Sequence, residues 1–273
     1  MNKLVFKLFY FRKEFSLIFL LSITFLASCS PKIIGKAIEQ IPQEIAKNPE
    51  AYFCPKDDCG KVLESYINSA NSSVYCALYD VDLKNVISAL AKKSKAADVK
   101  LVMDGSNYKG EAKGDGVRLD NEKQLMHNKF CVIDNENVIT GSFNPTDNDN
   151  NKNNNNIVIV YSKILAKNYA DEFGELWSGK FGRGDNVQYP VLFINNKKIE
   201  NYFCPEDNCE SHVVDLIKNA RSSVYFMSFS FTSEEIADAL IMTGLEVRGI
   251  VDSAQASSRY SQFKRLKECG RNV

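Results

Sequence analysis

One short stretch holds residues whose types and spacing can do chemistry: His127, Lys129 and Asp134, then Gly141, Ser142, Phe143 and Asn144. An imidazole, with an ordinary pKa of about 6.5, is a nucleophile when neutral and an acid when charged. The ammonium of Lys129 supplies a fixed positive charge, and the hydroxyl of Ser142 and the amide of Asn144 supply donors. Attack on a phosphodiester builds negative charge on its non-bridging oxygens, so a nucleophile beside a cation and neutral donors is the set that this reaction needs.

These residues need rigid elements beneath them. Phe130 to Ile139 is rich in Phe, Val and Ile and interrupted by Asp-Asn-Glu-Asn, which predicts a hairpin with its turn near Asn135 to Asn137. On its first strand side chains alternate, so His127 and Lys129 share a face with Cys131, while Phe130, Val132 and Asp134 point the other way. Asp134 thus reads as an anchor for the strand. The run from Asp147 to Asn156 reads as a solvated loop leading into a strand over Ile157 to Tyr161.

The pattern H-x-K-x4-D-x6-G-S-x-N formed by His127, Lys129, Asp134, Gly141, Ser142 and Asn144 resembles the signature of the phospholipase D superfamily. The resemblance implies a catalytic set of His127, Lys129, Asp134 and Asn144, in which the histidine forms a phosphohistidine and Lys129 and Asn144 bind the non-bridging oxygens. A second histidine, from a second copy of the motif, would protonate the leaving alkoxide. No metal and no cofactor is implied. Gly-Ser-Phe-Asn-Pro-Thr is similar to the nuclease branch, whose members carry a Glu eleven residues after the motif Asn to orient the histidine; here that position is Asn155. An amide accepts a hydrogen bond from imidazole but cannot stabilise imidazolium as a carboxylate does.

An internal repeat frames the motif. Tyr52-Phe53-Cys54-Pro55 returns as Tyr202-Phe203-Cys204-Pro205, and Ser72-Ser73-Val74-Tyr75 as Ser222-Ser223-Val224-Tyr225, both at an offset of 150. Val99 to Asp104 and Val247 to Asp252 both read as buried strands ending in Asp. Strands over 74–78, 99–104, 130–133, 138–141 and 157–161 alternate with helices over 61–70, 83–93 and 164–177. The pattern predicts the α/β class, and the resemblance an αβα sandwich around a mixed sheet. Repeat one is expected over 51–184 and a partial repeat two over 187–273, which lacks its motif because the position matching His127 would fall at 277. The expectation is a truncated reading frame or fragment, with a natural short form as the alternative.

Lys3, Lys7, Arg12 and Lys13 precede an apolar run from Phe15 to Leu26, and Leu26-Ala27-Ser28-Cys29 resembles a lipobox. This predicts a signal peptide over 1–28, lipidation at Cys29, a tether over 29–50, and an exported protein anchored to a membrane. In an oxidising compartment Cys54 with Cys59, and Cys204 with Cys209, are expected to form local disulfides, a four-thiolate zinc site being the alternative. Cys76 and Cys131 read as core residues, and His212 as a helix-end residue remote from the motif. The chain carries 34 basic and 34 acidic residues; without residues 1–28 it keeps 30 against 33, which argues against a broad nucleic-acid footprint.

The function expected is a phospholipase D-type phosphodiesterase acting on phospholipid head groups. The alternatives are an endonuclease on DNA or RNA, or a non-catalytic binding lipoprotein or inactive fragment. A C2 homodimer would place two His127 side chains together.

Overall fold

The computed structural model describes residues 40–110 and 112–273. The signal segment and Cys29 lie outside the described residues. Among those residues no helix is long and apolar enough to cross a membrane.

A seven-stranded mixed sheet forms the centre of the first repeat. In chain order its elements are β2 (Glu50–Cys54), α1 (Cys59–Ser69), β3 (Ser73–Leu78), α2 (Lys84–Lys93), β4 (Asp98–Asp104), β5 (Val117–Asp120), β6 (Lys129–Ile133), β7 (Asn137–Gly141), α3 (Asp147–Asn151), β8 (Asn155–Tyr161) and α4 (Lys163–Ser178), preceded by a short β1 (Gln43–Glu44). The spatial order is β2-β8-β7-β6-β3-β4-β5. β3, β4 and β5 run parallel, and every other neighbouring pair is antiparallel.

Alternation along the strands makes two cores. Val74, Cys76, Leu101, Met103, Cys131, Ile133, Ile157 and Ile159 pack with Leu63 and Ile67 of α1 and Val86 and Leu90 of α2. Ala77, Val102, Phe130, Val132, Val138 and Val160 pack with Leu165, Phe173 and Leu176 of α4. The architecture is therefore an αβα sandwich around a mixed sheet. α4 starts where the Ser162 hydroxyl accepts the Leu165 N–H (3.0 Å), and ends at Gly179, whose φ of 89° stops the helix.

The structure departs from the sequence reading at three places. Residues 147–151 are helical: Thr146 caps them and Asp149 and Asn150 are buried, so α3 is held by hydrogen bonds that override the weak helix propensity of Asp and Asn. Cys76 and Cys131 are not free core thiols; they face each other across β3 and β6 and form a disulfide, with Cα atoms 4.1 Å apart. Residues expected in the tether are bound into the fold, since β1 pairs with β9 and Glu44 accepts from the Ser162 hydroxyl and the Ile164 N–H.

The second repeat begins after a hairpin of β9 (Val191–Ile194) and β10 (Lys197–Glu200). α5 (Cys209–Lys218), β11 (Ser223–Ser228), α6 (Glu234–Met242), β12 (Glu246–Val251), α7 (Ser253–Ala256) and α8 (Phe263–Glu268) follow. β11 and β12 form a parallel two-stranded sheet that matches β3 and β4. The expected disulfides Cys54–Cys59 and Cys204–Cys209 both form, which commits the four thiols that a zinc site would have needed.

Candidate active site

Lys129 is the first residue of β6, and His127 lies just before it, at the end of the sheet where β3 also finishes. The Tyr79 N–H donates to the Asn128 carbonyl (2.9 Å), which carries the β3 ladder one step further and fixes the Tyr79 ring. His127 meets that ring edge-on, with centroids 4.5 Å apart, and the Lys129 Nζ lies 4.9 Å from its centre while donating to the His127 carbonyl (2.8 Å). One aromatic platform therefore sets both His127 and Lys129.

The second half of the motif enters from β7. Gly141 has a φ of 152°, and a Cβ there would fall 2.2 Å from the Asn156 carbonyl oxygen, so no other residue fits this close pass beneath β8. The chain then turns through exposed Ser142 and buried Phe143 to Asn144. Asn144 donates with both its N–H and its Nδ2 to one oxygen of Asp149 (2.9 Å each). The other Asp149 oxygen accepts from the Asn153 amide (2.7 Å). The Ser142 Oγ accepts from the Asn156 N–H and side-chain amide at 3.2 and 3.3 Å.

Charge ties the two halves together. Burial pulls the Lys129 ammonium down to about 8, against the opposing pull of Asp149 and Asp80. Burial also lowers His127, with Lys129 adding to the effect and Asp104 opposing it, so the imidazole is neutral over a wider range than usual. A neutral nucleophile beside a lysine still charged below about pH 8 suits attack on a phosphate anion.

Two residues of the expected set stand apart. Asp134 sits at the far end of β6, roughly 16 Å along the strand from Lys129. There it accepts from the N–H groups of Asn71, Ser72 and Ser73 and from the Ser72 hydroxyl. It is a structural anchor and touches no reacting group. Asn155 opens β8 opposite Cys54, and among the described residues no hydrogen bond joins it to His127. The carboxylates that face the site are Asp104, Asp149 and Asp80. Sequence reasoning missed these three and Tyr79; the one visible signal was that the strand over Val99 to Asp104 ends in a carboxylate.

A model of the cardiolipin synthase, phospholipase D-like domain matches residues 63–177, wholly inside the first repeat. A phospholipase D of Rickettsia felis is 30% identical over 154 residues, 53% of this chain and 75% of that protein. A mitochondrial cardiolipin hydrolase of Xenopus tropicalis is 41% identical over 64 residues, 23% of this chain and 30% of that protein. Among solved structures, the phosphatidylserine synthase of Haemophilus influenzae superposes with a TM-score of 0.52 at 10% identity, covering 74% of this chain and 61% of that one, a likeness of fold. With residues 63–177 matched by the domain model and 75% of a phospholipase D covered at 30% identity, the chain belongs to the phospholipase D superfamily of phosphodiester hydrolases.

Proposed function

We propose that this chain acts on phospholipid head-group phosphodiesters, without a metal, through a phosphohistidine on His127. The observation that carries the reading is the pairing of His127 and Lys129 on the Tyr79 ring, next to the turn that bears Ser142 and Asn144. A neutral ring nitrogen of His127 attacks phosphorus, a P–N bond forms, and the P–O bond to the alcohol breaks with its electrons leaving on the alkoxide. A general acid protonates that alkoxide. Water, giving its proton to the same group now acting as base, attacks phosphorus, the P–N bond breaks with its electrons returning to the His127 ring, and a phosphomonoester leaves. Lys129 and the amide of Asn144 stabilise the charge on the non-bridging oxygens in both steps.

The only other histidine, His212, lies flat on Tyr202 in the second repeat (centroids 3.5 Å), so the general acid is assigned to the motif histidine of a partner copy. The lipid assignment draws support from two relatives named for lipid substrates and from an amino terminus that reads as a lipid-anchored export signal. The Gly-Ser-Phe-Asn-Pro-Thr sequence keeps nucleic acid as the second reading.

The test is turnover in EDTA of phospholipid vesicles containing cardiolipin, of single-stranded DNA and of a chromogenic phosphodiester, by the full chain and by His127→Ala. Release of lipid head group, abolished by the substitution and trapped as an acid-labile phosphoenzyme in the parent, is the expected result. Cleavage of DNA alone would replace the lipid reading with the nuclease one, and activity that survives His127→Ala would end the phosphohistidine mechanism.

A further inference from the structure

The position that carries an orienting Glu in nuclease-type relatives is Asn155, and no hydrogen bond joins it to His127, so the imidazolium charge must be met from elsewhere. We propose that Asp104 is the residue that positions His127 and stabilises its charged form; this rests on the reading of His127 as the nucleophile.

Asp104 ends β4, on the strand next to β3, and is 3% exposed. One carboxylate oxygen accepts from the Ser106 N–H (2.9 Å) and the Ser106 hydroxyl. The other accepts the N–H of Met126 at 3.1 Å, the residue directly before His127. Met126 is itself buried under α4, so the peptide leading into His127 is held by an apolar side chain on one side and a carboxylate on the other.

The charges around this pair are few. His127 faces Lys129 on its own segment and Asp104 on β4, and Lys129 in turn faces Asp149 on α3 and Asp80 after β3. Asp104 lies opposite Asp120 on β5, whose own neighbour is Glu122. One Asp120 oxygen is buried without a partner, and burial first, then Asp104 and Glu122, raises its carboxyl. Of the two, Asp104 is the one whose carboxylate is bonded to the peptide leading into His127.

The matching strand end of the second repeat offers a comparison. Asp252, the matching strand-end residue of repeat two, spends its carboxylate on the N–H groups of Ala254 and Gln255, capping α7. Ser106 occupies the corresponding place after Asp104, and the second oxygen of Asp104 is the one turned to the His127 peptide.

The experiment is a histidine-labelled NMR titration of the full chain, which holds only His127 and His212, so that the second ring is an internal reference. In Asp104→Asn, which keeps an acceptor for Met126, the His127 midpoint should fall by about one pH unit while His212 stays. kcat on the chromogenic diester should fall about tenfold with KM little changed, one pH unit being equivalent to a factor of ten. Should that variant not fold, the Asp104 carboxyl carbon of the parent chain is followed instead: an inflection at the His127 midpoint is expected, and its absence overturns the proposal, as does an unmoved His127 midpoint in folded Asp104→Asn. A parent chain that turns over no diester, yet shows the NMR shift, would overturn the nucleophile reading and leave the coupling of Asp104 to His127 standing.

Discussion

On the mechanism proposed above, Lys129 is the residue whose protonation sets the upper pH limit of activity. Its ammonium, brought down to about 8 by burial, must be charged to meet the phosphate, and His127, held below its usual value, must be neutral to attack. The rate should therefore rise with pH through a midpoint under the ordinary histidine value and fall through about pH 8 as Lys129 loses its proton. Lys129→Arg keeps the charge at every accessible pH, so the alkaline fall should disappear even if the maximum rate drops, because guanidinium does not deprotonate there. An alkaline fall that persists in the arginine variant would assign it to another group. The residues that make this environment were only half legible in the sequence. His127, Lys129, Ser142 and Asn144 carry the motif in a run of eighteen positions. Tyr79 and Asp104 reach them through the sheet order, which brings β3 and β4 to one end of the sheet and which no local spacing encodes, while Asp149 reaches Asn144, five residues before it, through the helix α3.

At the scale of elements, the β6–β7 hairpin depends on Asp134, which with Asn135 adopts positive φ (56° and 53°) to turn the chain. Burial alone would raise the Asp134 carboxyl, but the N–H donors of Asn71, Ser73 and Ser72 outweigh it and hold the group down at about 2. A folded value below the unfolded one means stability that is present above about pH 4 and is lost as pH falls toward 2. Asp134→Ala should cost about 2 kcal/mol, read as a lower Tm at pH 7 that converges on the parent near pH 2, with kcat of the folded protein largely kept. A collapse of kcat at unchanged Tm would return Asp134 to the chemistry. The central strands and long helices were legible because their apolar periods are strong. α3 was not, since its Asp and Asn residues form a helix only through the Thr146 cap and the burial of Asp149 and Asn150. β2 and β5, at the two edges of the sheet, were missed because edge strands carry little alternating pattern. The Cys76–Cys131 bond was hidden for a different reason: 55 residues separate the two, and only the register of β3 on β6 sets them opposite each other.

The whole molecule shows what the first repeat has and the second lacks. Tyr75 on β3 stacks on Phe173 of α4 (5.1 Å) and donates to Asp98; Tyr225 on β11 donates to Glu246 in the same way but is 62% exposed. Met227, Phe229 and Ile250 are exposed with it, and among the described residues β11 has no neighbour on its outer edge. An exposed sheet face bearing apolar side chains is a site of association. The purified chain should sediment as concentration-dependent oligomers, and the pair Met227→Lys and Ile250→Lys should shift it toward monomer without loss of fold; a parent that stays monomeric at every concentration would show that face to be covered in solution. The disulfides bear on the molecule from the opposite direction. The bond between β3 and β6 closes a loop of 55 residues, worth about 4 kcal/mol in a chain-entropy account, against about 2 kcal/mol for each of the five-residue loops. The strand that carries Lys129 is thereby stitched to the one that leads to Tyr79, so a preparation made in a thiol-rich cytoplasm and one made by secretion would differ in how firmly their catalytic ends are held, and the specific activity of a batch would carry a memory of the redox conditions of its synthesis.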